Sequence, residues 1–131
     1  MTPFGAKIRV LRAERNVTLK DMAAALRVSP AYLSALEHGR RGRPTFVQVQ
    51  AVIGFFNVIW DEAEEIVRLA RLSHPRVTID TSGLDPRATE LANRLADEIP
   101  YLTGPELDQL LKSLPSRSPQ TIHTHKPRKK G

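Results

Sequence analysis

The chain has 131 residues, is 40% hydrophobic and 26% charged with only 5% aromatic residues, and carries a formal net charge of +6. That length suits one helical domain with an appendage, and light Leu, Val, Ile and Ala side chains point away from a sandwich or barrel, towards an all-α protein. With no cysteine there is neither a disulfide framework nor a thiolate metal site.

The first predicted helix follows Phe4, Ile8 and Leu11, ends near Asn16, and carries Lys7, Arg12 and Arg15 on its polar side. These charges, with Arg9 and Glu14, also interrupt any signal-peptide core. No later run approaches the roughly 18 apolar residues of a membrane span, so no membrane partner is expected and the protein is assigned to the cytoplasm. Thr18 and Asp21 have the [ST]-x-x-[DE] form that starts a second helix, running to about Leu26 with Met22, Ala23 and Leu26 inward. Ser29 followed by Pro30 opens a third: the serine accepts from an unpaired N–H, and proline is pre-set for the first helical position. That helix should end near His38, with Gly39 as a left-handed stop.

After the cationic loop Arg40-Arg41-Gly42-Arg43-Pro44, Thr45 caps a fourth helix whose Phe46, Val49, Val52, Ile53 and Phe56 form an apolar stripe. A fifth runs from Trp60 or Asp61 to Leu72, with Asp61, Glu62, Glu64 and Glu65 early and Arg68 and Arg71 late, as the helix dipole favours. Pro75, Val77-Thr78-Ile79 and Ser82-Gly83 then read as a short extended piece between breakers. Two further helices follow. One spans about Pro86 to Ile99 with Leu91, Leu95 and Ile99 inward; the other spans about Pro105 to Leu114 with Leu107, Leu110, Leu111 and Leu114 inward. The resulting organisation is a bundle over 1–72, a helical dimerisation or partner-binding extension over 73–114, and a disordered basic tail over 115–131.

Charge follows the same division. Nine cations face three anions over 1–45, two face four over 46–72, four face seven over 73–114, and five face none over 115–131. A basic first half beside an acidic middle is the footprint of a polyanion-binding module joined to something that is not one.

Leu19 to Gly39 meets each steric requirement of two helices crossing through a tight turn. Met22 and Leu26 point inward one turn apart, Ala23 is small at the crossing, Val28 plugs the turn, and Leu33 and Leu36 line the second helix. The stretch Tyr32-Leu33-Ser34-Ala35-Leu36-Glu37-His38-Gly39-Arg40-Arg41, with the Pro-Thr start of the next helix, resembles the Y-[LI]-S-x-[LI]-E-x-G-x-R signature of the Xre/Cro family of lambda-repressor-like helix-turn-helix regulators. The resemblance covers about residues 4–72. It departs at Arg27, where the family usually has glycine, and at Leu19, where several relatives carry a phosphate- or base-contacting glutamine.

This resemblance implies a five-helix DNA-binding bundle in a bacterial or phage transcription regulator, followed here by the extended segment and a C-terminal helical hairpin. The third helix would enter the major groove with Ser29, Pro30, Ala31, Ser34 and Ala35 towards the bases. Tyr32, His38, Arg40, Arg41, Arg43, Lys20 and Arg12 would serve the DNA backbone, with Arg43 also able to reach a narrow minor groove. The base-facing set is small and contains no bidentate Arg–guanine or Asn/Gln–adenine reader. The expected partners are double-stranded DNA and a second copy of the chain, a homodimeric repressor on an inverted repeat, with its own promoter among the candidate targets, associated with the nucleoid. An antitoxin binding its toxin through residues 78–114 and a polymerase-contacting adaptor stay open as alternatives. No cofactor, catalytic or metal site is expected. His123 and His125 lack partner ligands, and His74 sits as a dipole partner at a helix end.

Overall fold

The computed structural model describes residues 1–116. The tail expected over 115–131 lies almost wholly outside them, including His123, His125 and the final lysines and arginine. The described residues are helical, with no strand, and divide into two units, one of Met1–Val77 and one that begins at Thr78.

The first unit contains α1 (Pro3–Arg15), α2 (Leu19–Leu26), α3 (Pro30–Glu37), α4 (Phe46–Phe56) and α5 (Trp60–Arg71). Each of the first four starts at a hydroxyl that accepts a backbone N–H three residues on: Thr2 from Gly5, Thr18 from Asp21, Ser29 from Tyr32, and Thr45 from Gln48. Thr45 forms a full capping box, because its own N–H donates to Gln48 Oε1 at 2.9 Å. Helices α1, α2 and α4 end on left-handed Asn16, Arg27 and Asn57, and Gly39 (φ 82°) turns the chain after α3. α5 is different. Ile59 gives it no side-chain cap, and Trp60 begins it at φ 53° with 79% of its surface exposed.

The core of this unit is Phe4, Ile8 and Leu11 of α1, Met22 and Ala23 of α2, Leu33 and Leu36 of α3, Val49, Val52 and Phe56 of α4, Val58, and Ile66 and Ala70 of α5. Leu19, Leu26 and Val28 pack half-buried against it. Phe46 does not join the stripe expected of α4: at the helix's first position it is 75% exposed and edges an open depression with Val67 and Arg71. Lys7 joins α1 to α5 through Glu62 and Glu65 at 3.3 and 3.1 Å. Partial burial works against its charge, but the two carboxylates outweigh that and raise its pKa.

The second unit contains α6 (Pro86–Glu98), a single 3-10 turn (Ile99–Tyr101) and α7 (Gly104–Ser113), the last started by a Thr103–Glu106 capping box. Residues 74–84 form no helix and no strand, and Val77 and Ile79 are exposed. Neither α6 nor α7 buries a residue, so the leucines expected to point inward find no packed core among the described residues. No helix among the described residues is long and apolar enough to cross a membrane.

Candidate nucleic-acid interface

The anchor of the site is the C-terminal end of α3, gripped by α1. Thr2 donates both its N–H (3.0 Å) and its hydroxyl (3.2 Å) to the Glu37 carbonyl, while the same hydroxyl accepts from Gly5 N–H. Gly5 lies against that carbonyl so closely that a Cβ there would stand 2.1 Å from the Glu37 oxygen and 2.7 Å from its Cα. Only glycine lets α1 and α3 cross at this distance. Gly39 is constrained twice, by its positive φ and by Thr2 Cγ2, 2.9 Å from where a Cβ would sit.

The Glu37 side chain turns inward and meets Arg12 of α1 in a bidentate pair, Nη2 lying 3.2 and 3.0 Å from its two carboxylate oxygens. Both side chains are largely withdrawn from water, at 3% and 13% exposure. Burial pushes the Glu37 carboxyl above the usual range, and Arg12, Arg9 and His38 pull it back only in part. Arg12 is therefore placed differently from the other basic residues named above: it holds α3 from behind instead of standing free on the surface. Its Nε is buried without a hydrogen-bond partner.

At the other end of α3 the exposed residues are Ser29, Pro30 and Ala31, with Ser34 and Ala35 half-buried one turn further on. All five lie at the outward positions of the helix, because Leu33, Leu36 and Glu37 take the inward ones. Ser29 Oγ is already engaged by Tyr32 N–H at 3.0 Å. Ser34 is thus the hydroxyl on this face with no side-chain hydrogen bond of its own.

Tyr32 links three elements. Its ring is half-buried, its hydroxyl accepts from Gln48 Nε2 of α4 at 2.7 Å, and the Arg41 guanidinium stacks over its ring at 5.3 Å. The phenolic proton stays available to an acceptor outside the fold. Stacking fixes Arg41 beside α3, while Arg40, Arg43 and Lys20 are exposed and in no ion pair among the described residues. His38 Nδ1 lies 2.9 Å from the Ser34 carbonyl oxygen, a contact that requires the proton on Nδ1 and turns Nε2 outward.

Two residues that shape this region, Gly5 and Ser73, carry no signal in the sequence, and a third, Arg27, stands out there only as a departure from the family's glycine. At Gly5 two helices approach too closely for a Cβ, whereas the sequence points to Ala23 alone as a small residue at a crossing. Ser73, just past α5, is 2% exposed; its Oγ accepts from Phe4 N–H at 2.9 Å and donates to the Leu69 carbonyl at 2.6 Å, tying the start of α1 to the end of α5. Arg27, left-handed at φ 63°, is exposed in the α2–α3 turn and adds a cation there.

Residues 3–76 match the family described as helix-turn-helix domain. Among curated proteins the chain is 31% identical over 61 residues to the uncharacterized HTH-type transcriptional regulator RghRB of Bacillus subtilis (strain 168), covering 47% of this chain and 44% of that protein. It is 43% identical over 44 residues to the HTH-type transcriptional repressor RghR of the same organism, covering 34% and 33%. The chain thus spans less than half the length of either relative. No solved structure gives a significant match.

Proposed function

The chain belongs to the helix-turn-helix domain family, and from that membership we propose that it is a double-stranded DNA-binding transcription regulator, a homodimeric repressor that reads an inverted repeat through α3. The observation that carries this reading is the pairing of an outward α3 face free of core duties with a cluster of exposed cations at its end: Arg40, Arg41 and Arg43. An α-helix fits the major groove, and arginines at its flank neutralise phosphates.

In this reading Ser29, Pro30, Ala31, Ser34 and Ala35 meet base edges, Pro30 and Ala31 touching thymine methyl groups and Ser34 donating or accepting one hydrogen bond. Lys20, Arg40, Arg41, Arg43 and Tyr32 serve phosphates, joined by His38 in its imidazolium form, which carries a proton on Nε2 as well as on the Nδ1 bonded to Ser34, while Arg12 acts through Glu37 to hold α3 in place. With so few base readers, discrimination rests on DNA shape, on Arg43 at a groove edge, and on two half-sites about 34 Å apart read by a dimer. The repressor assignment is supported by the name of the relative RghR.

Genome-wide mapping of bound sites, paired with a promoter–reporter assay, tests this. Wild type should occupy discrete palindromic sites and lower expression from them, and an Arg40→Ala/Arg41→Ala/Arg43→Ala variant should lose them. Absence of discrete sites would refute sequence-specific binding; occupancy that raises expression would refute repression alone.

A further inference from the structure

The second unit leaves a leucine-floored groove open along α6. Leu91, Leu95, Leu102 and Leu110 form its floor, and Arg87, Glu90, Arg94 and Glu98 stand along it. Leu91 and Leu110 are 53% and 41% exposed, and α6 buries nothing. A 13-residue helix of this kind is marginal in water unless an amphipathic face is covered.

The rim charges indicate what covers it. They recur at steps of three and four residues, so they lie on one flank of the leucine stripe, and they alternate in sign along the helix: plus at 87, minus at 90, plus at 94, minus at 98. Reversing the helix end to end inverts that order. A copy related by a twofold axis across α6 runs antiparallel and presents the same flank, so Arg87 meets Glu98 of the other copy and Glu90 meets Arg94. A parallel copy related by a twofold along the helices would turn its charged flank to the other side of the pair, and these pairings would not form. The existing partners of these arginines do not compete strongly. Arg87 bonds Asp85 at 2.8 Å while 88% exposed, and Arg94 reaches Glu90 at 3.8 Å on an open surface.

We propose that the α6 groove is the homodimer interface, filled by α6 of a second copy lying antiparallel, with the alternating rim charges setting its direction and register. This rests on the dimeric reading above and assigns it a surface.

Sedimentation equilibrium of the full chain, with helicity followed by circular dichroism, tests it. Two variants make the flank uniform: Arg87→Glu/Arg94→Glu is all acidic, and Glu90→Arg/Glu98→Arg is all basic. Each should self-associate about tenfold more weakly or worse, since several attractive contacts become repulsive. Mixed together they should form a one-to-one heterodimer. The variant with all four charges inverted should dimerise like wild type and fail to pair with it, because their flanks then oppose like to like. Unchanged self-association in both uniform variants would overturn the interface, as would a wild-type chain that is monomeric, a fourfold variant that does not recover, or a fourfold variant that pairs freely with wild type. Footprinting of the same proteins separates the two ideas: a dimer that ignores these charges yet protects a palindrome sinks this surface and leaves the paired-site reading standing.

Discussion

One substitution, glycine to alanine, should act with opposite signs at two helical positions of the first unit. Gly54, inside α4, has nothing within 4 Å of where a Cβ would sit, so Gly54→Ala should stabilise the protein by about 0.5–1 kcal/mol through backbone entropy alone. Gly5 lies inside α1 and would gain the same amount, but its new methyl would stand 2.1 Å from the Glu37 carbonyl oxygen. The obstacle is backbone, which cannot swing aside, so α1 and α3 must separate, at the upper end of the roughly 1–3 kcal/mol that overpacking costs. Separation also stretches the two hydrogen bonds from Thr2 to that carbonyl, at about 1 kcal/mol each. Against the propensity gain, Gly5→Ala should lose about 4 kcal/mol, a fall in Tm on the order of 15–30 °C for a unit of this size. Urea unfolding and thermal melts of both variants measure this. A Gly5→Ala protein as stable as wild type would refute the close crossing.

Ser73→Ala should cost about 1–3 kcal/mol in urea unfolding, because it strips the buried Phe4 N–H of its acceptor. For Glu37, whose pKa burial raises in the folded state, the stabilising contribution is complete below the unfolded value of about 4.3 and is lost as pH rises through the folded pKa. Glu37→Gln cannot titrate, so its stability relative to wild type should improve from pH 4 to pH 7; denaturant midpoints at the two pH values check the sign. If about six phosphates are neutralised per monomer, the log–log salt slope of DNA binding should be near −5, and the Arg40, Arg41 and Arg43 triple alanine variant should flatten it by about 3. A slope unchanged in that variant would place those arginines away from the phosphates.

How far the chain could be read without coordinates depended on how local the physics was. Caps are settled by three or four neighbouring residues, so Thr18–Asp21, Ser29–Pro30, Thr45 and the Gly39 stop were all legible. Contacts between distant residues were not. Gly5 meets Glu37 and Ser73 meets Phe4 across 32 and 69 positions, and nothing in either neighbourhood signals the meeting. Arg12 illustrates the same limit. A cation on the polar side of an amphipathic helix looks free for DNA until the helix that faces it is known, and here that helix brings a carboxylate. The apolar spacing of α6 and α7 was equally plain, but periodicity says that a face must be covered without saying by what.

The hydrogen bonds that tie the start of α1 and Arg12 to α3 all end on Glu37, and Leu33 and Leu36 carry the core packing of the helix, which leaves two of its outward positions with few structural duties. Ala31 and Ser34 cap nothing and fill no core position. If α3 lies in the major groove as proposed, the specificity of the protein is open to re-addressing: combinatorial libraries at these two positions, introducing glutamine, asparagine or arginine, should change which DNA sequences are bound while the scaffold's melting behaviour stays as it was.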